Sequence, residues 1–551
     1  MTAEPSRRGF ARVLWRLADL VQAAEDRRSF RSKAYRRAVW SLDDLPGLEV
    51  SDEGLLATTG IGPGIAALLH EYRISGSVNQ LIPLEEAYPL ETEWLRRLPR
   101  MSPRMLRDLK SLGIETRGEL VGAIESGAAR TLRGAGPQTL ELWARILDLS
   151  PGPGFFPAHQ AWSMATALSD HITEHTGCWI DIAGSVRRTD EWVDRLDLVA
   201  VATEPDRLVE FLSGTAGLHT VSIGDDTTWG STHNQIPVAV HLSAPEEAGT
   251  SLLWATGPVE HAMTVTRDPY PTEHEAYESA GLALIPAPAR ALPGDAARAV
   301  VQVEDLRGDL HVHSELSPDG RMTLDQIVDT ARRRKYEYIA VTDHTQGLRF
   351  GGLDEGAIAA QGILISQVRR RHPDLAILHG AELNIDKDGG LDLDVHAISM
   401  LDFAVAGVHS HFGLDRDTQT LRIVRALEHP IVRVLAHPFG RRIGIRPPLD
   451  VDMEAVIDAA VGNDVALETN GHRDRLDLSA DWILLAAGRG AVFAANSDAH
   501  RITEMENITN AIATLQRAGI RPERVINTLP ASGMGRWLSR EPSLTSARPE
   551  S

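Results

Sequence analysis

Seven short apolar runs decide the fold: GDLHVHS (308–314), YIAVTDH (338–344), AILHGAELNI (376–385), FAVAGVHSHF (403–412), VRVLAHP (432–438), VALETNG (465–471) and AVFAANSDAH (491–500). Each has the length of a strand and ends in a residue type that binds metals: His311 and His313, Asp343 and His344, Glu382, His409 and His411, His437, Glu468, then Asp498 and His500. Helical stretches such as LDQIVDTARRRK (324–335) and IAAQGILISQVRRRH (358–372) lie between them. Strands apolar on both faces and separated by helices indicate a parallel sheet. Closed into a barrel, such a sheet gathers the C-terminal strand ends at one mouth, so ligands scattered along the chain meet. His-x-His on a strand turns its imidazoles to opposite faces, so that each serves a different ion unless one reaches around a bulge.

The residue types limit the chemistry. A single cysteine, Cys178, excludes a cysteine-based zinc cage and any internal disulfide. Imidazole and carboxylate ligands without thiolate suit Zn, Mn or Fe. Eight or nine ligands exceed the needs of one ion, so two or three divalent ions are expected, Mn or Zn. Such a cluster activates water and clamps the attacking and leaving oxygens of a phosphoester. His372, His379, His429 and His472 fall outside the pattern and read as bystanders.

The whole chain has 551 residues, 76 acidic and 56 basic, for a formal charge of −20. With 43% apolar and 24% charged residues it is globular and long enough for several domains. The sequence has no apolar run approaching the roughly 20 residues of a membrane span and no signal-peptide pattern at its start, so a cytoplasmic protein without membrane contact is expected. The acidity argues against nonspecific nucleic-acid binding, because phosphate contacts require Lys and Arg. Yet residues 1–150 hold 21 basic and 20 acidic side chains, so the acid excess lies wholly beyond them. The basic run Arg27, Arg28, Arg31, Lys33, Arg36, Arg37 alternates with Phe30, Tyr35, Val39 and Trp40, a pattern that also fits a solvated helix face.

Residues 8–47 read as amphipathic helices, with Val13, Leu14, Leu17, Leu20 and Val21 on one face. Then come a glycine turn, Gly60, Gly62 and Gly64, and two echoes at a period of about 35 to 40 residues. One echo has Arg100 and Ser102 where glycines would sit; the other restores Gly134 and Gly136. Such turns free backbone N–H groups at a helix N-terminus, where they hold a phosphate. Serial repetition favours helix-hairpin-helix units that bind the DNA backbone over plain helix connections. SPGPGFFPAH (150–159) and IPAPARALPGDAARAV (285–300) read as linkers. The expected domains are a helical region 1–150, an α/β region 151–300 with strands CWIDIAG, DLVAVAT and IPVAVHL, a barrel 305–535, and a disordered tail 536–551.

DLHVHSELSPDG, TDH, GAELNI, VHS, AHP and SDAH, in that order, resemble the polymerase-and-histidinol-phosphatase (PHP) family of metal-dependent phosphoesterases. The resemblance implies a distorted seven-stranded β/α barrel holding three ions, commonly Zn or Mn. It places the ligands on His311, His313, Asp319, His344, Glu382, His409, His437, Asp498 and His500. His411 and Glu468 fall outside that set, with supporting or substrate-facing roles expected. Arg441 and Arg442, just after AHPFG, are expected to neutralise substrate phosphate.

FRSKAYRRAVWSL (30–42), the hairpin repeats, GSVRRTDEWVDRLDLVAVA (184–202) and TEHEAYESAGLALIP (272–286) extend the likeness to bacterial family X DNA polymerases that carry a C-terminal PHP domain. Gly184, Ser185, Arg187 and Arg188 match that family's nucleotide-binding motif. The Asp-x-Asp that should follow falls on Arg195-Leu196-Asp197, Asp194 is one residue off on the opposite strand face, and the third carboxylate falls on Ala239. Two of three metal-binding carboxylates are absent, and a cation at Arg195 repels the Mg²⁺ pair of nucleotidyl transfer. His261-Ala262 replaces an expected His-Asn, and the thumb is short. The palm therefore reads as degenerate.

The expected function is hydrolysis of DNA phosphodiesters, as 3′-5′ exonuclease or 3′-end processing in repair, by a monomer with no obligate protein partner. The alternatives are a small-molecule phosphomonoesterase, a non-catalytic DNA-binding scaffold and a residual polymerase.

Overall fold

The computed structural model describes residues 7–25, 30–43, 52–58, 60–87, 95, 98, 100–148, 155–214, 218–223, 227–232, 236–348 and 351–539. Among the described residues no helix is long and apolar enough to cross a membrane.

The N-terminal helices are amphipathic in the register the sequence specifies. Val13, Leu14, Leu17, Leu20 and Val21 of helix Arg7–Glu25 are buried with Tyr35 and Ala38 of helix Phe30–Asp43 and Ile65 and Leu69 of helix Pro63–Ser75. A second core gathers Leu98, Met105, Leu109, Leu120 and Leu132 around the fully buried Trp143. Three turns share one backbone feature, a positive φ two residues before a helix N-cap or its equivalent: Gly60 at 97°, Arg100 at 64° and Gly134 at 97°. The helices that follow span Pro63–Ser75, Pro103–Ser111 and Pro137–Asp148. Arg100 takes the left-handed conformation without being glycine, and its guanidinium donates to Thr139 Oγ1 at 3.3 Å.

Next come strands β1 (Phe156–Pro157), β2 (Trp179–Ile182), β3 (Trp192–Val193), β4 (Leu196–Val201), β5 (Leu218–Ile223), β6 (Thr227–Thr232) and β7 (Pro237–Ser243). β1 and β3 form a two-stranded ribbon, and the other five a sheet in the order β2-β4-β7-β6-β5. The three expected strands fall on β2, β4 and β7. Leu196, Leu198, Ala200, Val238 and Val240 face a core completed by Ala161, Ala165 and Ile172 of helix Ala158–Thr176. Strand alternation therefore puts Arg195, Asp197, Ala239 and His241 on the other face.

The barrel comprises β8 (Gly308–Asp309), β9 (Tyr338–Val341), β10 (Ala376–Asn384), β11 (Phe403–Gly407), β12 (Val432–Leu435), β13 (Ala466–Asn470) and β14 (Phe493–Asn496) in strict sequence order. All six neighbouring pairs are parallel. The sheet ends meet through a parallel bridge between Val312 and Ala499, with His313 N–H donating to Ala499 O at 2.9 Å and Asp498 N–H to His311 O at 3.1 Å. This is the expected distorted (β/α)7 barrel. Its bulk core runs from Val301 to Val525, and a smaller apolar layer fills the barrel interior.

Two expectations about connecting segments are corrected. The Pro- and Ala-rich stretch 285–300 is packed: Ile285, Ala289, Ala297 and Val300 are buried, and the buried Arg290 pairs with Glu273 at 2.8 Å. Small residues and prolines there fit a tight seam against the barrel, where Val301 N–H donates to Ile520 O at 2.8 Å. The final helix Ala531–Leu538 includes residues assigned to the tail, because Met534 is buried and the Arg433 guanidinium stacks on Trp537 at 4.2 Å. Residues 540–551 lie outside the described set.

Candidate metal centre

Glu382, on β10, is the hub at the barrel mouth. Its Oε1 lies 3.0 Å from His409 Nε2 and 2.9 Å from His437 Nε2; its Oε2 lies 2.8 Å from His344 Nδ1, 3.3 Å from His311 Nε2 and 3.5 Å from His313 Nε2. Asp498 Oδ1 lies 3.5 and 3.3 Å from the same two Nε2 atoms. Asp319 Oδ2 sits 3.6 Å from His344 and 3.4 Å from His500. All nine positions singled out from the sequence thus converge in one network. Burial grades outward: His311, His313 and Glu382 are sealed, while the Asp319 side chain at the rim is 49% exposed.

The network fits metal ions. Ligand atoms within 4.8 Å of one another form three overlapping triads: His313, His344 and His500; His311, His313 and Glu382; and His344, Glu382 and His409. His313, His344 and Glu382 are each shared between two triads. Several of these buried atoms make no hydrogen bond, among them His311 Nε2, both His313 nitrogens, Glu382 Oε2 and both His409 nitrogens. Such orphaned groups are costly unless they have a partner, and a shared cation supplies it.

Local backbone makes room for this crowding. An added Cβ at Gly407 would meet the His409 and His437 imidazoles at 2.9 and 3.0 Å and Glu382 Oε1 at 3.1 Å. His437 and Asp498 hold positive φ values of 29° and 53°, strain of the kind that accumulates at functional sites. The His-x-His expectation is corrected: the His311 and His313 rings lie 5.0 Å apart with both Nε2 atoms toward Glu382 and Asp498. Regular β8 ends at Asp309, so strict alternation does not apply to the bridged segment beyond it.

The electrostatics show a demand for positive charge. Burial works against protonation of His311, but Glu468, Glu382 and Asp498 outweigh it and raise its pKa well above the usual value. His500 is likewise raised, to about 9, by its hydrogen bond to Asp319 and the Asp498 charge acting against burial. His437 is lowered to about 4 by burial and by Arg475, and His313 is lowered by burial and neighbouring imidazoles. Divalent ions require neutral imidazole, so their binding releases the protons that otherwise balance the carboxylates.

Supporting groups lie behind the ring. Glu468, fully buried, accepts from His311 Nδ1 at 2.7 Å and from the His437 backbone N–H at 2.7 Å. Asp343, although it neighbours His344, accepts from Ser314 and Gln361 and holds the β9 loop. His411 is exposed, at φ 53°, and makes no contact with the ring.

The expected phosphate-facing arginines have other partners. Arg441 forms a bidentate pair with Glu191 at 3.0 and 2.7 Å, and Arg442 pairs with Asp474. The cation beside the cluster is Arg475, whose Nε is 3.4 Å from Asp498 Oδ2 and whose buried Nη1 has no hydrogen-bond partner. Sequence reading missed it, because HRDR (472–475) follows Glu468 without a recognisable motif.

In the palm, Ala239 pairs directly with Asp197 in the β4–β7 ladder, the position where the resemblance expects a carboxylate. Asp197 instead accepts from Arg195 Nε at 3.0 Å and lies 3.1 Å from His241 Nε2. Arg195 also lies over the Trp229 ring, 5.3 Å from its centroid. Gly184, at φ 59°, backs onto the Asp197 carboxylate. Arg187 is bidentate to Glu273 at 2.9 and 2.6 Å; Arg188 bonds Ser185 Oγ at 3.0 Å and Asp190 at 2.8 Å. Both cradle arginines are thus internally paired.

Of the expected DNA contacts, Arg37 is exposed, and Gly62, Gly64 and Gly136 have open space where a Cβ would stand. Arg36 lies in the helix Phe30–Asp43, its side chain outside the described residues.

Comparison with known proteins agrees with the geometry. The PHP domain matches residues 309–429. The chain is 26% identical over 547 residues to "DNA polymerase/3'-5' exonuclease PolX" of Bacillus subtilis, covering 93% of this chain and 95% of that protein. It is 30% identical over 233 residues to a "Probable phosphatase" of Syntrophotalea carbinolica, covering 40% of this chain and 90% of the relative. "Probable phosphatase YcdX" of Escherichia coli K12 is 26% identical over 232 residues, 90% of its length.

Proposed function

As the chain belongs to the PHP-domain family and is PolX-like along nearly its whole length, we propose that it is a metal-dependent hydrolase of DNA phosphodiester bonds, working as a 3′-5′ exonuclease or 3′-end processor in DNA repair. The observation that carries this reading is the shared-ligand network of Glu382, in which several buried atoms, among them His311 Nε2, both His313 nitrogens and Glu382 Oε2, converge without hydrogen bonds. His311, His313, Asp319, His344, Glu382, His409, His437, Asp498 and His500 would hold two or three divalent ions, Mn or Zn. When bound, such ions supply Lewis acidity and activated water for attack on phosphorus. Glu468 orients His311 through Nδ1, leaving Nε2 for the cluster. Arg475 offers an unpaired N–H beside Asp498, suited to a phosphate oxygen.

The helical region 1–150 would grip the DNA backbone, region 151–300 would be a palm that has lost nucleotidyl transfer, and barrel 305–535 would cleave. The pairing of Asp197 with Arg195 and His241, and of Arg187 and Arg188 with carboxylates, supports the loss of polymerase activity. The test is gapped DNA labelled at the 3′ or 5′ end, incubated with Mn²⁺ with and without dNTPs. Chelator-sensitive shortening from the 3′ end without extension is expected; extension, or no shortening, overturns the reading.

A second reading, phosphomonoester hydrolysis of small molecules, draws support from the relatives named phosphatases, which match 40% of this chain. Rates on nitrophenyl phosphate that exceed those on DNA by a hundredfold would favour it.

A further inference from the structure

Two ion pairs join the palm to the barrel, Asp190 with Arg517 and the partly buried Glu191 with Arg441, and the second grips the loop carrying Arg475. We propose that Glu191, a palm residue, is a positioning residue for the barrel's hydrolytic centre, acting through Arg441 on Arg475. The proposal rests on the reading of the barrel as a phosphoesterase.

The chain of contacts is continuous. Glu191 holds Arg441 through both terminal nitrogens, and the Arg441 side chain is only 12% exposed. The same guanidinium donates from Nε to the Arg475 carbonyl at 2.9 Å and from Nη2 to the Leu476 carbonyl. Leu476 sits at φ 41°, a conformation that a γ-branched residue holds only where its surroundings impose it. Trp192, next to Glu191, packs with Ala158, Ile443 and Leu476, so apolar contacts back the ion pair. A further palm contact, Asp190 to Arg517 at 2.6 Å, secures the same seam. At the far end of the loop the Arg475 guanidinium lies against Asp498.

The Arg441 charge is largely withdrawn from water. With Glu191 removed, the Arg441 guanidinium would lose its bidentate carboxylate and keep the Arg475 and Leu476 carbonyls and the nearby Asp477 charge, a costlier state that the loop relieves by opening toward water. The 472–478 loop would then lose the constraint on its two carbonyls, and Arg475 its fixed distance from Asp498. This gives a palm that lacks two of its three expected carboxylates a role as a brace for the neighbouring centre.

The test uses the full chain and four proteins: wild type, Glu191→Ala, Arg475→Ala and the double variant, each with Mn²⁺ and 3′-labelled DNA. If Glu191 acts through Arg475, Glu191→Ala lowers kcat about five- to tenfold with little change in KM, and the same substitution costs less than about twofold in the Arg475→Ala background. Glu191→Asp, which keeps the charge, restores part of the rate. Metal content measured by elemental analysis stays at the wild-type level in Glu191→Ala, separating loop position from ion loss. An unchanged kcat, or an equal loss in both backgrounds, overturns the proposal. Should wild type prove inactive on DNA, that result counts against the functional reading alone. Hydrogen exchange then decides the brace: Glu191→Ala must speed exchange of the Arg475 and Leu476 amides, which bond the His472 carbonyl, and unchanged protection overturns it.

Discussion

Glu468 Oε1 lies 2.7 Å from His311 Nδ1, while His311 Nε2 is 3.3 Å from Glu382. A carboxylate on β13 thus sets the tautomer and the aim of an imidazole that follows β8, across the closed barrel. Partners of this kind typically change metal affinity by 10- to 100-fold. Glu468→Gln is therefore expected to keep the fold and weaken Mn²⁺ or Zn²⁺ binding by about that factor, measured by competition with a chromophoric chelator.

His311→Ala and Asp498→Ala remove groups that close on the cluster, His311 Nε2 at 3.3 Å from Glu382 Oε2 and Asp498 Oδ1 at 3.3 Å from His313 Nε2. Each is expected to reduce Mn-stimulated shortening of 3′-labelled DNA by more than about a hundredfold, matching the effect of chelator on wild type. Robust cleavage by either variant would exclude the Glu382 cluster as the hydrolytic centre.

Gly184 predicts a stability effect in the palm. A Cβ there would stand 2.4 Å from Asp197 Oδ2 at φ 59°, combining overlap with strain. Gly184→Ala should cost about 1–3 kcal/mol in urea unfolding. Asp197→Ala should leave nucleotide incorporation as absent as in wild type; incorporation by wild type that the variant abolishes would show a working palm.

Glu273 predicts a pH dependence. Burial alone would raise its pKa, but the hydrogen bonds and charges of Arg187 and Arg290 outweigh burial and hold it below the usual carboxylate value. A depressed folded-state pKa means the pair's contribution is fully present above the unfolded value of about 4.3 and fades as pH falls through the folded one. Glu273→Gln should therefore destabilise the protein by about 3 kcal/mol at pH 7. The difference from wild type should shrink on acidification below pH 4, as read by chemical unfolding at both pH values.

The turns at Gly62 and Gly64 predict a salt-dependent grip. Gly62→Glu puts an anion at an open helix N-terminus and should weaken DNA binding severalfold, and Arg37→Glu should reduce the salt slope by about one. Fluorescence anisotropy over a salt series checks both, and unchanged affinity would remove these positions from the DNA path.

Eight of the nine converging positions were legible because ligands at strand ends obey local rules: an apolar run, a turn, a His, Asp or Glu; Asp319 came only from the family resemblance, and the local rules alone also offered Asp343, His411 and Glu468. The carboxylates expected at Arg195 and Ala239 were seen to be missing only through the resemblance to family X polymerases; the ladder pairs Asp197 with Ala239. The opposite-face expectation for His311 and His313 failed where regular β8 stops and the closing bridge bends the chain. The expected linker 285–300 failed because composition reports the absence of long side chains, not the surface against which small ones pack.

The sequence by itself determined the parallel barrel and the residue types at its mouth, since each follows from short-range periodicity and residue chemistry. Only the tertiary structure decided which arginine lies beside the centre. Arg441, beside the AHP motif, turns to a glutamate 250 residues away in the palm, while Arg475, in no motif, lies against Asp498. Where a long cation ends is set by loop conformation and by which distant carboxylate offers the better-buried partner, quantities that exist only once the chain has closed.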